Sequence, residues 1–290
     1  MTEALGLPFV QPFFGPSSGD FSRGVNFAVA GCTALADSFW AEEGIQIWLA
    51  NTSLAAQLSW FKELLLPKFC HTSSDCKNFL ENTLVVVGEI GGSDYKYALF
   101  QGKSFQSVLA IVPKVVKAIS LTINELIKLG AKTLLVPGNL PMGCSPAYLT
   151  HFATSNQTFH DPETGCLNRI NEIFRHHDEL DRVRQQNPNI NIVFADYYNA
   201  AMQLYHSPRK YGFTEGALTA CCGCGGPYNY DETAFCGSEG CSTCKVPSLH
   251  VSWDGLHLTE AAYGLIADGL LRGSFTIPPL YAFCARAPFK

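Results

Sequence analysis

The chain has 290 residues, 47% hydrophobic, 16% charged and 12% aromatic, which suffices for a full core in one or two domains and excludes a disordered or collagen-like chain. With 20 Lys+Arg against 25 Asp+Glu the formal charge is −5, and no basic stripe is present to neutralise phosphates, so no nucleic-acid partner is expected. Purely apolar runs such as Leu84 to Val87 fall far short of the ~20 residues that cross a bilayer; a soluble chain with no transmembrane segment is expected.

Residues 1–15 begin Met-Thr-Glu-Ala and lack the charged and apolar regions of a signal peptide. Gly24 to Ala30 and Thr83 to Val87 read as buried strands. Val112, Val115, Val116, Ile119, Ile123, Leu126 and Ile127 then recur at helical spacing, and Gly130 stands where a helix takes a left-handed C-terminal residue. This predicts a helix of about four turns. Thr133 to Val136 and Ile190 to Phe194 read as further strands. Between them a helix is predicted from about Leu167 to Arg184, with Ile170, Ile173, Phe174, Leu180 and Val183 on one stripe and Pro188 beyond it. The pair His176-His177 within it reads as part of a solvated face. A last helix opens at Thr259, a suitable N-cap, with Tyr263, Ile266 and Leu270 turned inward. The alternation of short apolar runs with amphipathic stretches predicts an α/β fold with helices on both faces of a parallel sheet. No repeat or linker divides the chain, so one domain over residues 1–290 is expected.

Twelve cysteines are many for a cytosolic α/β protein, and Cys221, Cys222, Cys224, Cys236, Cys241 and Cys244 crowd together. Zinc would explain the close spacing, and Cys241 to Cys244 is a CxxC, but no His lies within the cluster. Disulfides in an oxidising compartment explain the same residues and agree with the sequons at Asn51 and Asn156. The second reading is favoured, no metal is expected, and residues 219–247 are taken as a disulfide-tied loop before the last helix. A secretory body without a secretory start implies a segment upstream of Met1.

Ligands in open parallel sheets sit at the carboxyl ends of the strands. Three stretches qualify: Gly88-Glu89-Ile90-Gly91-Gly92-Ser93-Asp94-Tyr95, the run Pro137 to Cys144, and Ser252-Trp253-Asp254-Gly255-Leu256-His257. An Asp three residues before a His can orient the ring and stabilise the imidazolium, the pairing of orienter and base in a hydrolytic triad. Asp94 beside two glycines suits a turn-stabilising role.

These residues resemble the plant GDSL (SGNH-hydrolase) esterase/lipases. The matching blocks are GVNFAVAGCTAL at 24–35, GEIGGSDY at 88–95, LIKLGAKTLLVPGNLPMGCSPAYLT at 126–150, ACCGCGGPYNYD at 220–231 and WDGLHLTEAAY at 253–263, in the family's order. The resemblance implies a three-layer α/β/α sandwich with a flavodoxin-like sheet, and hydrolysis of carboxylic esters by a Ser, Asp, His triad without a cofactor. It implies His257 as general base, Asp254 as its orienter, and Gly31 as an oxyanion-hole donor. Where the family has Gly-x-Asn-Asp this chain has Gly91-Gly92-Ser93-Asp94, so Ser93 replaces an asparagine donor. No Gly-Asp-Ser occurs in the chain, and hence no nucleophile is assigned. Ser18 in GPSSGD mimics the letters without a strand leading into a helix, Ser252 is near Asp254 only in sequence, and Ser38 and Ser145 have no adjacent base. The first sheet strand of the family is expected to be absent, leaving its neighbours with open edges that re-pairing or dimerisation would satisfy. The implied ligand is a small-molecule or lipid ester, and the alternative is an inactive relative that binds an ester or a partner. The family member of full length is expected to be secreted. Cys144 and Cys166 are expected to form a disulfide around the Asn156 loop, while Cys224 and one of Cys241 or Cys244 are additional to the family's usual set, their pairing open.

Overall fold

The computed structural model describes residues 2–15, 20–153, 159–175 and 183–283. In chain order its elements are β1 Gln11–Pro12, β2 Val25–Asn26, α1 Asp37–Glu42, α2 Leu54–Lys68, α3 Ser73–Glu81, β3 Leu84–Val86, α4 Gly92–Phe100, α5 Phe105–Leu129 and β4 Thr133–Pro137. They continue with α6 Pro146–His151, α7 Asn168–Ile173, β5 Asn191–Ala195, α8 Tyr197–His206, β6 Gly216–Ala220, β7 Cys222–Gly223, β8 Ser242–Thr243, β9 His250–Ser252, α9 Glu260–Leu271 and β10 Thr276–Ile277. Two compact units result: residues 1–138 with 177–195 and 271–290, and residues 139–176 with 196–270.

The first unit holds a four-stranded sheet in the order β10-β5-β4-β3, parallel apart from β10. Its α/β architecture with a parallel-dominated sheet is consistent with the expected α/β/α sandwich. Helix α5 starts earlier than its apolar stripe because the Ser104 side chain accepts the N–H of Ser107, and it stops where Gly130 turns left-handed at φ 119°. By length and composition α5 could cross a membrane, a property that short apolar runs do not reveal. It serves as a core helix: Ile123 and Leu126 pack with Leu134 and Val136 of β4 and Ile192 of β5.

Gly24 to Ala30 is not the buried strand its composition suggests. Only Val25 and Asn26 are strand, paired in parallel with β1. The Asn26 side chain accepts the N–H of Ala28, an Asx turn that ends the strand after two residues. Phe27 then packs with Phe13 and Phe61 in an aromatic cluster, and Phe13 stacks on Trp60. Strand β3 is also less buried than expected. Its outer residue Val86 is 48% exposed. Val87 N–H points to Leu135 O of β4, so the polar groups of Val86 face the opposite edge, where no strand lies among the described residues.

In the second unit, β6 runs parallel to β9 and β7 pairs with β8. The helix expected from Leu167 to Arg184 closes after Ile173 in a tight turn, with Phe174 N–H on Asn171 O and Arg175 N–H on Glu172 O. Leu180 and the His176-His177 pair lie outside the described residues, and residues 183–186 in the first unit are again helical. Thr259 caps α9 as expected, its hydroxyl accepting from Ala262 N–H at 3.3 Å and donating to His250 O at 2.8 Å. Ile266 and Leu270 are buried, but Tyr263 is 37% exposed. The buried stripe runs Ala262, Ile266, Leu270 at intervals of four, which puts Tyr263 about 100° off it.

Candidate functional site

Strand β9 and residues 257–259 form a narrow hairpin, with Trp253 N–H on His257 O and Thr259 N–H on Val251 O. Its tip is a left-handed Gly255 at φ 93°. That turn lets one carboxylate collect three donors: Asp254 Oδ1 accepts the N–H of Leu256 at 2.9 Å and of His257 at 2.7 Å, and Oδ2 lies 2.7 Å from His257 Nδ1. Burial pushes the Asp254 carboxyl up, but the His257 ring and the two backbone N–H groups outweigh it and hold it below the usual range. An ionised Asp254 fixes the proton of a neutral His257 on Nδ1, which makes Nε2 the basic nitrogen. The His257 side chain is 70% exposed, so that nitrogen belongs to an accessible ring.

The turn is braced from behind. Ser145 Oγ at 2.9 Å and Ala147 N–H at 3.0 Å both donate to Gly255 O, and Gly255 N–H donates to Ser252 Oγ. Ser145 and Ser252 are therefore engaged in the turn's scaffold. The part of Ser145 was invisible in the sequence, since it acts across 110 residues. The cysteine loop holds the other side: Cys221 N–H and Cys222 N–H donate to Ser252 O and Trp253 O at 3.0 and 2.7 Å. Disulfides join Cys221–Cys244, Cys222–Cys236 and Cys224–Cys241, so both members of the CxxC are bonded elsewhere, to different partners. Cys144–Cys166 forms as expected, and Cys70–Cys76 ties the end of α2 to α3.

Gly31 and Ser93 belong to the first unit. Gly31 is left-handed at φ 76°, and a Cβ there would stand 2.6 Å from Leu49 Cβ and 2.7 Å from Tyr97 Oη, so only glycine fits. Tyr97 Oη donates to Gly31 O at 3.3 Å, while the Gly31 N–H meets no acceptor among the described residues. Ser93 lies in the first turn of α4, half-buried, after left-handed Gly91. Its neighbour Asp94 does more than stabilise a turn. Fully buried, it accepts the N–H groups of Ala34 at 2.7 Å and Leu35 at 3.0 Å, tying α4 to the loop that carries Gly31. Burial pushes its carboxyl up to about 7 against the lowering effect of those two N–H groups. Nearby Cys32, buried and without a disulfide, is pushed up to about 12 by burial, Asp94 and Asp37. Asn51 is exposed just before α2; Asn156 lies outside the described residues.

The second unit supplies an oriented base; in the first, separately, the Gly31 N–H meets no acceptor among the described residues. Comparison with known proteins identifies the family. Residues 1–270 match the sequence model of the GDSL-like lipase/acylhydrolase family. A GDSL esterase/lipase of Arabidopsis thaliana is 48% identical over 295 residues, covering all of this chain and 75% of the relative. A second from the same plant is 47% identical with the same coverage. The sinapine esterase of Brassica napus is 46% identical over 293 residues, covering 99% of this chain and 75% of the relative. The chain belongs to the GDSL-like lipase/acylhydrolase family, a family of carboxylic ester hydrolases.

Proposed function

We propose that Asp254 and His257 act as orienter and general base in the hydrolysis of a carboxylic ester, and that the Gly31 N–H and the Ser93 hydroxyl serve as oxyanion donors. The observation that carries this reading is the three-donor carboxylate that fixes the His257 ring in its tautomer. With water as the attacking group, since no serine of the chain is assigned as nucleophile, the base would take a proton from it through Nε2 and pass that proton to the leaving alcohol as the carboxylic acid is released, with the ionised Asp254 stabilising the imidazolium between the two steps. The substrate is a small-molecule or lipid ester; the name of the Brassica relative makes sinapine a natural first choice of assay. Five disulfides among the described residues support a secreted protein, and exposed Asn51 a glycosylated one.

The test is turnover of a p-nitrophenyl ester and of sinapine by the purified chain and by His257→Ala. Turnover that disappears in the variant supports the reading, and turnover that persists in it refutes the assignment of the base. A second reading, an ester-binding relative without turnover, is favoured by one residue: Ser93 offers a single short hydroxyl where the family has a carboxamide. Loss of one oxyanion donor typically costs 10²–10³ in kcat. Ester binding without turnover would establish that reading instead.

A further inference from the structure

Left-handed Gly255 forms the turn that follows Asp254, and Tyr230 lies against it. A Cβ at Gly255 would overlap Tyr230 Cδ2 and stand 2.9 Å from Cε2, so the tyrosine ring lies directly against this residue. The carbonyl of Gly255 is held by Ser145 and Ala147. Tyr230 is itself fixed at its backbone. Asn229 before it is left-handed at φ 50°, its side chain accepts from Gly225 N–H at 3.1 Å and donates to Ala220 O at 2.8 Å, and Ala220 N–H donates to Tyr228 O. The Cys222–Cys236 disulfide brackets this turn.

We propose that Tyr230 is a positioning residue for the Asp254–His257 pair, acting through Gly255 and never touching the reacting atoms; the inference rests on the reading of that pair as orienter and base. The ring abuts Gly255 and the Ser145 and Ala147 donors hold its carbonyl, and together they favour the left-handed conformation in which the carboxylate meets three donors. The contact is made by ring carbons, so the hydroxyl is dispensable. Burial and the charges of Glu232, Asp254 and Asp231 push the phenol up from its ordinary value.

The experiment is NMR on isotope-labelled chain, following hydrogen exchange at the Leu256 and His257 amides and the ring Nδ1 proton of His257. In Tyr230→Ala, exchange at these two amides rises at least tenfold and the Nδ1 signal broadens away, while amides of α8 and β6 exchange as before. Tyr230→Phe behaves as the parent. A purely structural role would raise exchange across α8 and β6 as well, and that result overturns the proposal. So does unchanged exchange at Leu256 and His257, or a Tyr230→Phe variant as loose as Tyr230→Ala. Should Tyr230→Ala fail to fold, Tyr230→Leu retains bulk without the planar ring. It is expected to show a smaller rise at the same two amides, and no rise there overturns the proposal equally. Failure of the ester-hydrolase reading shows separately, in the turnover assay, and leaves these signals in place.

Discussion

Replacing Asp94 by asparagine tests the tie between α4 and the loop that carries Gly31. The carboxylate accepts two backbone N–H groups from full burial. An amide keeps one of those bonds and turns its NH2 toward the other donor, at a cost of about 1–3 kcal/mol for the unsatisfied group. The pH dependence is the sharper signature. The carboxyl moves from 3.8 to about 7 on folding, about three units, and thus on the order of 4 kcal/mol. Because the folded value is raised, this contribution is fully present below the unfolded value and is lost as pH rises through the folded one. Urea unfolding followed by tryptophan fluorescence from about pH 4 to about pH 8 measures it. The stability advantage of the parent over Asp94→Asn should shrink by roughly that amount across the range, by up to about 1.4 kcal/mol per pH unit. A difference that stays constant with pH, or grows, would show that Asp94 folds ionised and that the reasoning from burial is wrong.

Asp254→Asn carries the opposite sign. Its folded value is depressed, so its stabilisation is present above the unfolded value and is lost as pH falls through the folded one; the difference between parent and variant should therefore vanish in acid. Gly255→Ala forces a left-handed alanine onto the Tyr230 ring and should cost roughly 1–3 kcal/mol of strain, read from thermal unfolding. Replacing both Cys144 and Cys166 by alanine opens a closure of 22 residues and should cost about 3 kcal/mol by denaturant unfolding under oxidising conditions. Should the chain turn over esters, Ser93→Asn should raise kcat, by up to 10²–10³, with KM little changed; a lowered kcat would remove Ser93 from the oxyanion site.

What the sequence disclosed follows from the range of each interaction. Gly130, the stripe from Val112 to Ile127 and the Thr259 cap are local: the neighbours within a turn decide them, and the structure agrees. The Asp254–His257 pair was legible for the same reason, three residues spanning one turn. Gly24 to Ala30 misled because strand composition speaks of a pleated surface without saying whether a neighbour exists, and a single Asx turn at Asn26 decided the matter. The parts of Ser145, Tyr230 and Asp94 were out of reach, since each acts on a backbone group far along the chain. The pairing of Cys224 with Cys241 had no local signal either, because three bonds among six crowded cysteines permit many arrangements.

The open edge of β3 bears on how this chain behaves in a test tube. A hydrophobic strand whose outer polar groups meet no neighbouring strand among the described residues, with Val86 standing out from it, is a template for any extended chain that drifts past. Purified protein should accordingly self-associate as concentration rises, with dilution or a charged residue at position 86 restoring dispersed particles in light scattering. A turnover assay is best run dilute, so that a low rate is not the result of molecules aggregating through an edge remote in sequence from His257.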